Sequence, residues 1–357
     1  MREMANIMSL RKRVRREAAA LITIKDISRA CGVSPSTVSK VLNGYPDISR
    51  DTVDQVIRTA ERMGYTPNAA ARQLKTNRSN NIGVLFVDQM RSGLRHEYFS
   101  AVLNALKEEA ERSGYDITFI SQDLGGRSMS YLDHCRYRKC DGVIIACVDF
   151  ADPGVLELIA SDIPVITVDH VFDQRSSVIS DNVKGMTDLV TYIYNKGHRR
   201  IAFIHGELTS VTRNRLAGFH RTCSRLGLDV PEDFVKPARY HDPESSARAT
   251  RELMEKKARP TCIIYPDDFS FLGGRNQLES MGLSIPEDVS VAGYDGIFLA
   301  QALRPALTTV HQDTEELGRR AARRLIEAIE QPKTYIPHME LIPGELIPGD
   351  SVKDLKA

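Results

Sequence analysis

The stretch SPSTVSKVLNG, residues 34–44, places several hydroxyl side chains on the outer face of a short helical segment. Val38 and Val41 supply its apolar face, whereas an ordinary surface helix would carry Glu, Lys and Gln opposite them. Short hydroxyl groups suit a surface that closely approaches a hydrogen-bonding partner. Ser34 can cap this helix, and Pro35 stands at the first helical position, where its missing N–H costs nothing.

Two further helices are predicted on either side of this segment. Thr23 and Asp26 have the spacing of a capping box for the first helix, which ends at Gly32. Ser49 caps the third helix. The apolar residues of all three recur at helical spacing, so residues 22–67 are predicted to form a helix-turn-helix head.

The residues that follow the head predict a marginal helix and a linker over 68–81. Asn68 can cap the segment AAARQLK, in which Leu74 is almost the only apolar residue with a large side chain. Such a short helix is barely stable in isolation. The polar residues 76–81 then indicate a linker.

The rest of the chain alternates predicted strands with predicted helices, in two successive sets. This pattern indicates parallel sheets with helices on both faces. The predicted fold class is therefore a small all-α helix-turn-helix head plus an α/β body of two doubly wound parallel-sheet subdomains. The expected boundaries are a body over residues 82–357, a first subdomain over about 82–181 plus 311–335, and a second over about 182–308 plus 336–357.

Ligands of doubly wound sheets bind outside the carboxyl ends of the strands. The loops after the predicted strands are therefore the expected places for function. One of these strands is predicted near 235–240, so His241 falls in the loop that follows it.

The charge of the chain is unevenly distributed. Residues 1–80 hold 15 Lys and Arg against 7 Asp and Glu, whereas the remainder holds 33 against 40. A basic head on an acidic body is typical of a chain whose one end meets a polyanion. Residues 1–21 are expected to be a disordered basic extension; they could add nonspecific phosphate attraction or derive from an upstream start codon.

Several protein classes are disfavoured by composition. The six cysteines are scattered without a C-x-x-C pair, which predicts free thiols in a reducing cytosol. No apolar run reaches the roughly 18 residues of a membrane span, and no secretory signal is recognisable. We therefore expect a cytoplasmic protein without a membrane partner, and we expect no cofactor and no metal site.

Several motifs resemble the LacI/GalR family of bacterial transcription regulators. They are ITIKDISRACGVSPSTVSKVLNG, GYTPNAAARQLKTNRSNNIGVL, RLAGF, GLSIPEDVSVAGYD and LTTVHQD, and together they extend from about residue 22 to the C-terminus. The resemblance implies a head that reads DNA, a hinge helix, and a body like periplasmic sugar-binding proteins. It also implies a small effector that closes the body and changes operator affinity.

The resemblance assigns DNA contacts to the head and hinge. Ser34, Thr37 and Ser39 correspond to phosphate contacts, whereas Pro35, Ser36 and Lys40 fall where the family reads base edges. Lys40 replaces the commoner arginine, so its contact with guanine would be monodentate. Leu74 matches the leucine that enters the minor groove as a wedge, although it could instead pack on the body. The remaining expected DNA-binding residues are Thr23, Asn43, Tyr65, Asn68, Ala71 and Lys75.

The resemblance also assigns an effector site in the body. Arg215 matches an arginine that clamps effector oxygens, and Asp169, Asp267 and Asp295 follow predicted strands. A carboxylate can accept from two vicinal hydroxyls, so this set suits a sugar. The aspartates could alternatively be loop caps, and Arg215 could be an ion-pair partner. The other expected ligand-binding residues are His96, Phe99, His241, Phe298 and Gln312, with Phe150 and Phe172 as further aromatic candidates.

Competing functions are an enzyme and a solute-binding protein. The sequence contains no nucleophile elbow, P-loop or H-E-x-x-H motif, so we expect no enzymatic activity. A solute-binding protein would lack the helix-turn-helix. We expect a repressor of carbohydrate-utilisation genes that binds double-stranded, pseudo-palindromic operator DNA as a homodimer. The alternative is a corepressor-dependent regulator that responds to a nucleobase or another non-sugar ligand.

A further alternative concerns the chemistry of the sugar. In the loop after the first predicted strand of the body, Arg91 and Arg95 could contact an acidic sugar.

Overall fold

A computed structural model describes four stretches of the chain: residues 22–42, 45–65, 78–87 and 93–356. The chain divides into two compact units, and the boundary between them follows Arg78. Within these four stretches, no helix has both the length and the apolar character that crossing a membrane requires.

The described part of the first unit contains three helices, α1 (Ile24–Cys31), α2 (Pro35–Leu42) and α3 (Arg50–Met63). The predicted capping box is present, since the Asp26 carboxylate accepts from the backbone N–H and the hydroxyl of Thr23 at 3.0 and 2.6 Å. Gly32 ends α1 with φ +67°, a left-handed conformation that glycine adopts without steric cost.

The head is held together by one small apolar core. Ile27 of α1, Val38 and Val41 of α2, and Val56 and Ala60 of α3 are all buried in it. Burial of each larger aliphatic side chain contributes roughly 1.5–3 kcal/mol. The helical spacing of these residues therefore fixes how the three helices pack, and it leaves the first turn of α2 exposed.

The second unit contains fourteen strands among the described residues. They are β1 (Asn81–Phe86), β2 (Asp116–Ile120), β3 (Asp123–Leu124), β4 (Arg127–Ser128), β5 (Gly142–Ala146), β6 (Val165–Val168), β7 (Ser176–Ser180), β8 (Ile201–His205), β9 (Val235–Pro237), β10 (Cys262–Ile264), β11 (Ser290–Ala292), β12 (Thr309–His311), β13 (Met339–Ile342) and β14 (Glu345–Ile347).

Nine α-helices accompany these strands in the described residues. They are α4 (Glu97–Arg112), α5 (Tyr131–Tyr137), α6 (Pro153–Ala160), α7 (Asn182–Asn195), α8 (Ser210–Arg225), α9 (Pro243–Met254), α10 (Phe271–Ser280), α11 (Phe298–Ala302) and α12 (Thr314–Glu330).

The strands form two parallel sheets, one in each lobe of the second unit. The first lobe has the order β13-β7-β6-β5-β1-β2, and the second has the order β11-β10-β8-β9. β12 and β14 pair antiparallel. Each sheet has a buried apolar cluster on both faces, against α4 and α12 or α5 and α6 in the first lobe. The predicted fold class is therefore confirmed.

Two expectations about the body are wrong in detail. We assigned residues 336–357 to the second subdomain, but β13 is an edge strand of the first sheet. The N–H of Ser177 donates to the carbonyl of His338 at 3.2 Å, and the N–H of Asp181 donates to that of Ile342 at 2.8 Å. The strand predicted near 235–240 ends at Pro237, because its parallel pairing with β8 ends there.

Candidate functional site

The exposed first turn of α2 carries a connected group of hydroxyls. The Ser34 hydroxyl accepts from the N–H of Thr37 at 3.0 Å, so it caps the helix. It also lies 2.8 Å from the Thr37 hydroxyl and 2.7 Å from the Ser36 hydroxyl. Pro35 and Ser36 are exposed beside it. This turn therefore presents short polar groups and backbone N–H donors at a helix N-terminus, which attracts phosphate oxygens.

The last turn of α2 carries the only expected base contact with a charge. The Lys40 ammonium forms an ion pair with the Asp47 carboxylate, and both side chains are about half exposed. An exposed pair of this kind contributes about 0–1 kcal/mol. The ammonium can therefore exchange the carboxylate for a phosphate or a guanine at little cost.

The remaining expected DNA-binding residues lie in different surroundings. Thr23 is exposed and caps α1, Ser39 is half-buried, and Tyr65 packs against the core of the head. Five others fall outside the described residues: Asn43, Asn68, Ala71, Leu74 and Lys75.

The second unit contains a cavity of about 210 Å³ at the carboxyl ends of strands from both lobes. Eight of the nine expected ligand-binding residues line it. They are His96, Phe99, Asp169, Arg215, His241, Asp267, Asp295 and Gln312. The first three come from the first lobe. Arg215 lies on α8 of the second lobe, and His241, Asp267 and Asp295 lie in loops that follow its strands.

Two of the lining carboxylates lie on strained backbone, Asp169 directly after β6 and Asp295 three residues after the end of β11. Asp169 has φ +60° and Asp295 has φ +104°, a region that residues with a Cβ rarely adopt. Strain of this kind concentrates at functional sites. The Asp169 carboxylate accepts from the Tyr98 hydroxyl at 2.9 Å and from the N–H of Ser180 at 3.0 Å.

Burial changes the protonation of both groups. It raises the pKa of the Asp295 carboxyl to about 7, against the opposing effect of the neighbouring Arg215 guanidinium. Burial also raises the pKa of Asp169, against the N–H of Ser180 and the hydroxyl of Tyr98. Both shifts have the same main cause, which is that burial removes the carboxyl from water and penalises its charged form.

Arg215 is buried, and most of its N–H donors interact with other residues of the same chain. Its Nε donates to Oδ1 of Asn182 at 2.8 Å, and its Nη1 donates to the carbonyl of Pro266 at 2.7 Å. Its Nη2 lies 3.6 Å from Oδ1 of Asp295, and the guanidinium stacks on the Tyr294 ring at 3.6 Å. The ion-pair alternative therefore applies, although Arg215 also lines the cavity.

Asp267 and Gln312 differ in their spare hydrogen-bonding capacity. The Asp267 oxygens accept from the N–H of His241 at 2.9 Å and from the N–H and hydroxyl of Ser270, both at 2.7 Å. Asp267 is thus also a loop cap. Nε2 of Gln312 donates to Oδ1 of Asp295 at 2.7 Å, whereas its buried Oε1 accepts no hydrogen bond from the described residues.

Aromatic and imidazole rings form two separate stacks near these polar side chains. His241 lies between Phe269, at a centroid distance of 4.0 Å, and His96, at 4.2 Å. Phe150 stacks on His170 at 4.1 Å, and Phe172 lies against both rings. The first stack joins the two lobes, because His96 belongs to the first lobe and His241 to the second.

Our sequence reasoning did not name several lining residues, among them Tyr98, Glu207, Ser210 and Tyr240. Tyr240 was placed within a strand that in fact ends three residues earlier. Its ring packs so closely on Gly206 that a Cβ at that glycine would lie 2.3 Å from a ring carbon. Tyr98 directly precedes the expected ligand-binding residue Phe99 in the first turn of α4. This neighbouring position in the sequence could have indicated that Tyr98 also lines the cavity.

One expected ligand-binding residue lies elsewhere. Phe298 does not line the cavity; its side chain is 79% exposed at the start of α11. Its backbone N–H instead donates to Oε1 of Glu97 in the first lobe, at 2.7 Å. Arg95 is exposed and does not line the cavity, and Arg91 falls outside the described residues. In the described ranges, no group of side chains assembles a metal site.

Two family models match the chain. "Bacterial regulatory proteins, lacI family" matches residues 23–68, which include the three helices of the head. "Periplasmic binding protein-like domain" matches residues 190–352 of the body. The first match covers the head, and the second covers the cavity-lining residues from Glu207 to Gln312.

Similar proteins cover nearly the whole chain. A relative named HTH-type transcriptional repressor PurR, from Vibrio cholerae serotype O1, is 30% identical over 342 residues, which is 94% of this chain and 99% of that protein. A solved structure of the lac repressor dimer bound to operator and the anti-inducer ONPF has 26% identity and a TM-score of 0.72, covering 94% of this chain and 100% of that one. A LacI family regulator from Enterococcus faecium with bound ribose has 25% identity and a TM-score of 0.65, covering 77% and 99%.

Proposed function

Because the chain belongs to the lacI family of bacterial regulatory proteins and is a DNA-binding transcriptional repressor, we propose that a neutral sugar controls it from the cavity of the second unit. The regulated genes then serve carbohydrate use. The relatives are transcription regulators, and this chain, like them, is not an enzyme.

The observation that carries this proposal is the composition of the cavity wall. Its carboxylates outnumber its one guanidinium, and Gln312 adds a buried oxygen that accepts no hydrogen bond from the described residues. A ligand must therefore supply donors, which the hydroxyls of a sugar do. The rings of Phe99 and Phe150 line the same cavity and can pack against the apolar C–H side of a sugar ring.

Contacts between the lobes supply a way for the ligand to act. Nδ1 of His170 in the first lobe lies 2.8 Å from the Ser210 hydroxyl in the second, and His96 stacks on His241. A ligand that enters the cavity changes these contacts and therefore the arrangement of the lobes. Such small shifts are the kind that change the pairing of two copies of a chain.

On the DNA side, we infer that two copies bind a pseudo-palindromic operator, with α2 of each head in the major groove. The exposed hydroxyls of the first turn position the helix on phosphate, while Ser36 and Lys40 face base edges. The similarity to a lac repressor dimer bound to operator supports this arrangement. Leu74 then enters the minor groove as an apolar wedge.

The direct test is a thermal-shift panel of neutral mono- and disaccharides, acidic sugars and nucleobases. A ligand at a hundred times its dissociation constant adds about 2.7 kcal/mol to the free energy of unfolding. We expect a neutral or donor-rich sugar to raise the melting temperature. A response to acidic sugars alone would contradict the assigned site chemistry. Operator binding measured with the same sugar then gives the direction of control.

Asp295→Asn separates the effector site from the DNA site. The variant should bind operator like the parent chain in the absence of sugar, but a sugar concentration that saturates the response of the parent chain should no longer change its operator binding. If the response survives, the assignment of Asp295 to the effector site is wrong.

A nucleobase corepressor is the second candidate, favoured by the flat stacks of Phe150 on His170 and of Phe269 on His241. A planar base could insert between such rings. If a purine or pyrimidine raises the melting temperature in the thermal-shift panel and no sugar does, the effector is a nucleobase.

Leu74→Ala tests the wedge. Specific operator binding should weaken, whereas binding to unrelated duplex DNA should stay unchanged because it depends on phosphate contacts. Equal losses in both would exclude a wedge.

A further inference from the structure

Carboxyl groups outnumber basic groups in the wall of the cavity. Within the described residues, the carboxylates of Asp169, Glu207, Asp267 and Asp295 line it, against the single guanidinium of Arg215. Neutral sugars need hydrogen-bond acceptors, but they do not need an excess of charge. The excess is costly at a buried site, since it is disfavoured without a compensating cation.

Arg215 compensates only part of this excess. Its Nε and Nη1 are bonded to Asn182 and to the carbonyl of Pro266, and its Nη2 is 3.6 Å from Asp295. No ion pair joins it to Asp169 in the described residues. Asp169 instead receives neutral donors, from the hydroxyl of Tyr98 and the N–H of Ser180.

A second, independent feature is the unpaired oxygen of Gln312. This side chain is 3% exposed and lines the cavity, and its amide nitrogen is held by Asp295 at 2.7 Å. Its Oε1 is buried without a donor among the described residues. A buried acceptor without a hydrogen bond costs about 1–3 kcal/mol, so a ligand that donates a hydrogen bond to it removes this cost.

Aromatic side chains also line the cavity. Tyr98, Phe99, Phe150 and Tyr240 all contribute to the wall of the cavity. The face of an aromatic ring attracts a cation, and the attraction is stronger when the cation is desolvated. Rings, carboxylates and an acceptor amide together form a site that favours a positively charged donor.

We propose that the effector is an amino sugar with a free, protonated amino group, whose ammonium lies among Asp169, Asp295 and Oε1 of Gln312. This inference rests on the proposed sugar-controlled function and names the substituent that the sugar carries. An ammonium has three donors and no acceptor, which matches two carboxylates and one amide oxygen. A hydroxyl supplies one donor and leaves the excess charge in place.

The protonation of Asp295 supports this assignment. Burial raises its pKa to about 7, so a fraction of the empty sites is protonated near neutrality. An ammonium beside the carboxylate favours the ionised form and converts a partly neutral group into a charged partner. Charge-assisted hydrogen bonds of this kind are roughly twice as strong as neutral ones.

The test uses matched sugars that differ at one position. The glucose, galactose and mannose series are each compared as the 2-hydroxy sugar, the 2-amino sugar and the N-acetylated 2-amino sugar, with the uronic acids and nucleobases as further ligands. Binding to the full chain is measured by calorimetry at neutral pH and millimolar ligand. In at least one series, the free amine should bind at least about tenfold more tightly than its hydroxyl and N-acetyl counterparts.

Asp295→Asn checks where the preference originates. This variant should reduce the advantage of the amine over the hydroxyl to less than about threefold. Asp229→Asn is the matched control, because it removes one carboxylate of the second lobe from an exposed position away from the cavity. The control should keep the full preference.

The outcomes separate this inference from the proposed function. If a neutral sugar binds as tightly as its amine in every series that binds, the amino group is excluded while sugar control stands. If amino sugars do not bind at all, the inference also fails. Binding by nucleobases alone would overturn both it and the proposed function.

Discussion

Nε2 of Gln312 donates to Oδ1 of Asp295 at 2.7 Å, and this bond fixes which way the amide faces. The two residues come from successive segments, since Asp295 follows β11 and Gln312 follows β12. Their loops are also joined through the backbone, where the N–H of Gln312 donates to the carbonyl of Asp295 at 3.1 Å. The wall of the cavity thereby gains an oriented acceptor beside a carboxylate.

Gln312→Leu should lower effector affinity while preserving the fold of the second unit. Leucine is close to glutamine in size but can neither orient Asp295 nor accept from a ligand. The loss of such a bond costs about 1–3 kcal/mol, so we expect an affinity decrease of roughly 5- to 150-fold. Calorimetry with the effector identified by the sugar panel measures it. Gln301→Leu, at an exposed position on α11, is the control and should bind normally.

Asp295 also predicts how stability depends on pH. Its pKa rises from an ordinary 3.8 to about 7 because the carboxyl is buried, beside Asp267 and Asp169 and despite Arg215 and Gln312. Between these two values the folded chain binds more protons than the unfolded chain. The contribution of this group to the free energy of unfolding therefore falls as pH rises, and above about 7 it has cost on the order of a few kcal/mol.

Asp295→Asn removes that dependence. Urea unfolding of the parent and the variant, compared between about pH 5 and pH 8, should show the variant gaining relative stability as pH rises. Other titrating groups are shared by the two proteins and cancel in the difference. Parallel stability curves would mean that the carboxyl keeps an ordinary pKa in the folded chain.

Gly206→Ala tests the close packing beneath Tyr240. A Cβ at this position would lie 2.3 Å from a carbon of the Tyr240 ring, so the ring must leave its place beside the Thr212 hydroxyl, to which it is bonded at 2.7 Å. We expect effector affinity to fall at least tenfold, about 1.4 kcal/mol. Operator affinity without effector should be unchanged. Ser224→Ala, on the exposed face of α8, should alter neither. Normal effector binding by Gly206→Ala would show that Tyr240 is dispensable.

The sequence was most informative where one local rule decides the structure. The Thr23–Asp26 capping box and Gly32 place the ends of α1 without any long-range contact. The strand-end rule similarly brought Asp267 and Asp295 together, because the carboxyl ends of parallel strands lie at the same edge of a sheet. Asp169 ends a strand of the other sheet, and it reaches the same cavity because the two lobes meet there.

The parts that could not be predicted depend on contacts between distant segments. β7 is fully buried, yet its sequence SSVIS is rich in serine, and the apolar pattern therefore missed it. β13 joins β7 across more than 150 residues of chain, which no local pattern encodes. The stacking of His96 on His241 likewise requires the two lobes to meet. Whether the expected ligand-binding residues contact an effector stays a prediction.

The ion pair between Lys40 and Asp47 leads to a prediction about operator binding. Asp47 pairs with the Lys40 ammonium, which we expect to face a base edge. Removal of Lys40 should therefore weaken operator binding, whereas removal of Asp47 should strengthen it. Lys40→Ala should weaken binding by about 1–3 kcal/mol and relax specificity at one base pair. Asp47→Ala should strengthen binding, by up to the 0–1 kcal/mol that an exposed pair contributes.

The measurement is fluorescence anisotropy on an operator selected from random duplexes, repeated over a range of salt concentrations. Asp54→Ala is the matched control, since it removes one exposed carboxylate of the head that has no ion pair with Lys40. If only the loss of a negative charge matters, the two aspartate variants should bind the operator with the same affinity. If Lys40 is released from its ion pair, only Asp47→Ala should increase the preference for the selected sequence over other sequences. Identical affinities and preferences for the two variants would show that Lys40 does not read the operator.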